Sequence, residues 1–131
     1  MVCLETSFLI DLLRGNKDVK KIKEDLNKRD DIITIASPVI VELVSGASLS
    51  HASEKEKEKI HKLLNSLVTL KLDKKSAFLS GEIEADLIKK GSIIGIEDIM
   101  IAAIAKQNNQ NLLTRNVKHF SRIKDLKIET Y

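Results

Sequence analysis

Short runs of apolar residues alternate along this chain with stretches whose apolar positions recur at helical spacing. Val2-Cys3-Leu4 predicts a brief buried strand ended by Glu5, after which Thr6 or Ser7 caps a helix over Phe8 to Leu13 that Gly15 closes. Lys17 to Lys28 predicts a charged helix with Val19, Ile22 and Leu26 on one face. Ile32 to Ala36, rich in β-branched residues, predicts a second strand. Ser37-Pro38 opens the next helix, with Ser as cap and Pro at the first helical position, and Val39 to Val44 is apolar apart from Glu42. Gly46 to Ser53 is small and polar and predicts a loop. Glu54 to Lys59 alternates acids and lysines as a solvated helix face, followed by the apolar stripe Ile60, Leu63, Leu64 and Leu67. Val68 to Leu72 predicts a third strand, at an edge. Ser76 to Lys90 predicts a helix with Phe78, Gly81, Ala85 and Ile88 inward, ended by Gly91.

The stretch that organises the rest runs from Gly95 to Gln107. Seven consecutive apolar residues, Ile99 to Ala105, leave no polar face, so this helix is expected to be buried on nearly all sides. Asn111 to Thr114 then predicts a short buried strand, Arg115 to Phe120 a loop or short helix, and Leu126 to Thr130 a last strand. Strands alternating with helices indicate an α/β fold, a three-layer α/β/α sandwich with a central, mainly parallel sheet. Its 131 residues suffice for a real core and are too few for two ordinary domains, so residues 1–131 are expected to form one.

Composition narrows the chemistry. Aromatics are 3% with no Trp, so the core must be Ile, Leu, Val and Ala, and base stacking on aromatic side chains is disfavoured. A net charge of +3 is compatible with an anionic partner without arguing for one. The single Cys3 excludes an intramolecular disulfide, lies in an apolar run as a small buried hydrophobe, and fits a reducing cytoplasm. No stretch reads as a signal peptide or a membrane span.

In parallel sheets ligands bind beyond the carboxyl ends of the strands. Glu5 follows the first strand, Glu42 sits early in the helix after the second, and Asn116 follows the strand of Asn111 to Thr114. Asp98 opens the buried helix that feeds that strand. Each has a plainer reading. Asp98 suits the dipole of a helix N-terminus, Glu5 a helix cap, Asn116 a turn, and Glu42 a buried pair with Arg14 or Arg115. Taken together, three carboxylates and an amide suit a hard cation such as Mg²⁺ or Mn²⁺. Two such ions about 4 Å apart suit phosphodiester hydrolysis. Zinc is disfavoured, since Cys3 is alone and His51, His61 and His119 lack ligand spacing. His61 and His119 read as surface residues. There is no glycine-rich phosphate loop and no nucleophile elbow around Ser7. A receiver-type signalling domain needs an Asp ending a middle strand and a Lys after a later one, which Ala36-Ser37 and Thr114-Arg115 do not supply.

Four segments in order and spacing carry a resemblance that spans nearly the whole chain: Leu4 to Asp11, Val41-Glu42-Leu43, Ile94 to Ala103, and Leu113 to Phe120. With these the chain resembles the PIN-domain family, in particular the VapC-like toxin ribonucleases. The resemblance implies a Mg²⁺- or Mn²⁺-dependent endoribonuclease with an acidic cluster, carried over to Glu5, Glu42, Asp98 and Asn116. It assigns metal contact chiefly to Glu5 and Asp98, with Glu42 holding a second ion or a water on the metal. Asn116 orients a water, Thr114 supports the site through its hydroxyl, and Asp11 is structural. It further implies an RNA substrate, a cognate antitoxin, a homodimer and a toxin–antitoxin role in the cytoplasm. The chain departs from the family pattern in having Glu5 for Asp, and Asn116 where Asp is common. These departures keep open a second reading, a catalytically weakened or inactive PIN-like RNA- or protein-binding module.

Overall fold

A computed structural model describes residues 1–131. Five strands, β1 (Val2–Leu4), β2 (Ile33–Ala36), β3 (Val68–Leu70), β4 (Asn111–Leu113) and β5 (Ile128–Glu129), form one sheet in the order β3-β2-β1-β4-β5. Every pairing is parallel. β1 pairs on one side with β2, Val2 opposite Ile33, and on the other with β4, Val2 opposite Asn111. The strand order therefore reverses at β1, which makes the crevice beyond the ends of β1 and β4 the topological switch point.

Seven helices complete the α/β/α sandwich: α1 (Thr6–Leu13), α2 (Lys17–Lys28), α3 (Ser37–Ser48), α4 (Ser53–Leu64), α5 (Lys74–Lys89), α6 (Ile96–Gln107) and α7 (Val117–Phe120). α6 is the buried helix the apolar run predicts: Ile99 and Ile101 to Ala105 are all buried. β3 is the predicted edge strand. Gly15, at φ +78°, takes the left-handed turn that ends α1 and that other residues adopt at a cost. Cys3 is buried as expected, and burial pushes its thiol up to about 11, so it stays protonated and unreactive at neutral pH. No helix is long and apolar enough to cross a membrane.

Four local expectations change. α1 is capped by Glu5, whose side chain accepts from Ser7 N–H at 3.2 Å, and not by Thr6 or Ser7. α3 is capped at Ala36 without a side-chain bond; Ser37 Oγ accepts from Leu72 N–H at 3.2 Å instead. α3 also runs on to Ser48, through the first three residues of the predicted loop, since one Gly46 lowers helix propensity without forbidding the helix. The inward face of α5 is Ser76, Ser80, Ile83 and Leu87, while Phe78 and Ile88 are exposed at 72% and 57%. Burying serines is affordable here because their hydroxyls are satisfied locally. Ser76 Oγ joins the Asp73 capping box and Ser80 Oγ donates to Ser76 C=O at 2.7 Å. Small side chains on this face suit close packing against α6, the helix with which α5 makes its main contact.

Candidate active site

The sheet delivers the predicted acids to one rim. Glu5 leaves β1 as the cap of α1, buried to 4% exposure, and its position is fixed by three donors on one oxygen. Ser7 N–H, Ser7 Oγ and Thr114 Oγ1, the last at 2.9 Å, all donate to Glu5 Oε2. Thr114, fully buried at the end of β4, also accepts from Asn116 N–H at 3.0 Å, so it ties the two sides of the switch point together. Glu42, on α3 beyond β2, accepts from Thr6 Oγ1 at 3.0 Å through Oε1. Asp98, in the first turn of α6, lies 2.8 Å from His119 Nε2 through Oδ2.

Each carboxylate thus has one oxygen engaged within the chain and a second, Glu5 Oε1, Glu42 Oε2 or Asp98 Oδ1, that accepts no hydrogen bond. No Lys or Arg pairs with any of the three. The plainer reading of Glu42 therefore does not hold: Arg115 is taken by Asp11 at 2.8 Å, as befits a structural Asp11, and Arg14 makes no ion pair. The acids are close enough to act on one another. Burial pushes the Glu42 carboxyl above the usual range, and the charges of Asp98, Glu5 and Glu97 push it further, against the Thr6 hydroxyl bond. Uncompensated negative charge with spare oxygens fits a hard divalent cation. The arrangement is not a closed cage, since no three His, Cys, Asp or Glu side chains are gathered to hold an ion as they stand.

A carboxyl whose folded-state pKa is raised weakens the fold as pH rises above its unfolded-state pKa, and the full penalty stands once pH exceeds the folded value. Glu42→Gln is therefore expected to be more stable than wild type at pH 7–8, by about 0.5 kcal/mol for a half-buried, solvent-screened group. The gap closes as pH is lowered through the raised pKa, and thermal melts across pH 4–8 without metal read it. Added Mg²⁺ raises the wild-type Tm more than that of the variant.

His119 is the residue that sequence reasoning missed. It is half-buried, stacks edge-to-face on Phe120 at 5.4 Å, and orients Asp98, where a surface residue was expected. Asn116 comes to the rim through its backbone, with its side chain exposed and making no bond.

Relatives share this frame. The PIN domain family matches residues 2–126. Ribonuclease VapC2 of Rickettsia felis is 32% identical over 128 residues, 98% of this chain and 96% of its own length. The tRNA(fMet)-specific endonuclease VapC of Salmonella typhimurium is 32% identical over 110 residues, 84% of this chain and 83% of its own. The crystal structure of VapBC2 from Rickettsia felis bound to a DNA fragment from their promoter matches with a TM-score of 0.93 at 32% identity, covering 100% of this chain and 99% of that one. Matched in sequence from β1 to the segment before β5, and in fold from end to end, the chain belongs to the PIN domain family.

Proposed function

We propose that this chain is a Mg²⁺- or Mn²⁺-dependent endoribonuclease, the toxin of a type II toxin–antitoxin pair acting in the cytoplasm, with residues 1–131 as one PIN-like domain. The observation that carries the reading is the convergence of Glu5, Glu42 and Asp98 at the switch point, each with a free oxygen and none with a cationic partner. The names of the relatives, ribonuclease and tRNA(fMet)-specific endonuclease, support RNA as the substrate. A bound divalent ion supplies neutralisation of the scissile phosphate and lowers the pKa of the attacking water.

The chain's own residues do the rest. Glu5 and Asp98 present Oε1 and Oδ1 as the chief metal contacts, held in place by Ser7, Thr114 and His119. Glu42, whose carboxyl burial pushes above the usual range, is placed to accept the water's proton at Oε2. Asn116 orients that water from the rim.

The absence of three gathered donors favours the alternative, a module that binds RNA or protein without catalysis. Calorimetric titration with Mn²⁺ separates the two: saturable binding at millimolar metal or below is the expected result, and none would favour the binding module. Glu5→Asp addresses the departure from the family. Because charge and the cap of α1 survive the lost methylene, kcat/KM is expected to stay within about tenfold of wild type. A larger gain in the RNA cleavage assay would mark the natural Glu5 as a weakened site.

A cognate antitoxin is supported by the VapBC complexes among the relatives. Its place is the cavity of about 460 Å³ beside Glu42, lined by Ile10, Leu13, Leu43, Ala47 and Ile60, which suits an amphipathic helix with a basic residue turned to the acids. Exposed Phe78 and Ile88 on α5 support a homodimer through that helix. Co-purification with the product of a neighbouring short reading frame tests the antitoxin, and sedimentation the dimer.

A further inference from the structure

On the β4 side of the rim the chain turns from acidic to basic. The segment after β4 forms an open cavity of about 360 Å³ lined by Arg115, Asn116, Val117, Lys118, His119 and Arg122, with no carboxylate among them. It adjoins the acid cluster through His119, which touches Asp98 at 2.8 Å. Its cations have donors to offer. Lys118 Nζ makes no bond within the chain, Arg122 makes only a long one to Ile93 C=O at 3.5 Å, and Arg115 commits one nitrogen of its guanidinium to Asp11. The β2 side differs: there Glu42 shares its cavity with Glu56, Arg14, His51 and six hydrophobic residues, so carboxylates outnumber the one Arg.

We propose that the Arg115–Arg122 cavity binds the phosphodiester backbone of the RNA on one flank of the scissile phosphate, and that the enzyme holds its substrate by this flank alone. The inference rests on the ribonuclease reading and adds to it the direction from which the strand is gripped. Arg and Lys without carboxylate neighbours suit phosphate oxygens. Stacking on Phe, Tyr or Trp is not on offer, since Phe120 is fully buried and the cavity contains none of the three. On the opposite flank the carboxylates of Glu42 and Glu56 outnumber the single Arg14, and the rest of the lining is mostly apolar, which disfavours a polyanion. The grip is therefore sequence-independent and one-sided, and sequence preference has to arise elsewhere.

The test is Lys118→Gln combined with Arg122→Gln, both exposed positions whose loss leaves the core untouched. Single-stranded RNA is bound with divalent ions chelated, over a series of salt concentrations. The double variant is expected to bind roughly tenfold more weakly at low salt, with a salt slope smaller by about 1.4, two contacts at about 0.7 each. Lys20→Gln with Lys21→Gln on α2 leaves the slope unchanged. With Mg²⁺ present, KM rises in the double variant and kcat stays within about twofold. Trimming the RNA from one end costs wild type affinity, trimming from the other does not, and the variant is indifferent to both. A wild type that cleaves RNA beside a variant of wild-type slope and KM overturns this inference alone. A wild type that neither cleaves nor binds RNA overturns the ribonuclease reading.

Discussion

Asp98→Asn is expected to cleave RNA at least about a hundredfold more slowly than wild type while melting within a few degrees of it. The side chain keeps its size and remains able to bond His119, so the geometry of the 2.8 Å contact survives in outline. What goes is a charge at the point where the proposed ion is held. Losing about 3 kcal/mol of the stabilisation that an ion gives a phosphodiester transition state is already a hundredfold, at 1.36 kcal/mol per tenfold. Stability moves little because two effects oppose each other. An acid in the first turn of α6 gains about 0.3–1 kcal/mol from the helix dipole, and removing it relieves repulsion with Glu42. Single-turnover cleavage reads the loss, and chelation of wild type should reproduce it, with recovery on adding Mn²⁺. Undiminished cleavage by the variant with metal chelated would falsify the proposed chemistry.

The parts of this molecule legible in its sequence are those set by burial alone. Seven apolar residues in a row leave a helix no polar face, and α6 is engulfed; short apolar runs between helices point to a mainly parallel sheet, and all the pairings are parallel. The acids were legible because strand ends and helix starts in such a fold share a rim. What stayed hidden was decided by partners distant in the chain. α5 has large apolar residues around its circumference, and the side to bury was chosen by α6, which favours Ser76 and Ser80 over Phe78. His119 carries no local signal, because its partner Asp98 is 21 residues away and meets it only when the chain returns through β4. Glu5 as a cap was masked by Thr6 and Ser7, since Glu is not among the favoured N-cap residues.

That cap also makes α1 the element where stability and site meet, and Phe8→Ala is expected to lower folding stability by about 3–5 kcal/mol. Phe8 is fully buried one turn from Glu5, and its ring meets Tyr131 edge-to-face at 5.1 Å and 87°. The loss is a large share of the roughly 5–15 kcal/mol that holds a domain of this kind together, and corresponds to a Tm lower by about 10–20 °C. Its consequence reaches the acids by a traceable route. Tyr131 hydroxyl shares its one proton between Ser7 Oγ and Asp11 Oδ2, each at 3.3 Å, and Ser7 in turn donates to Glu5. Without the Phe8 ring Tyr131 loses its support, so cleavage at temperatures where the variant is still folded should fall by a few fold. Tyr131→Phe separates packing from polarity: it keeps the ring pair, drops the shared hydroxyl donation, and should cost only about 0.5–1.5 kcal/mol. Urea unfolding of Phe8→Ala, Tyr131→Ala and the double variant completes a cycle whose coupling is expected at about 0.5–1.5 kcal/mol. A Phe8→Ala loss below about 1 kcal/mol would mean that α1 is not anchored through this ring, and that the Ser7 and Thr114 bonds position Glu5 without it.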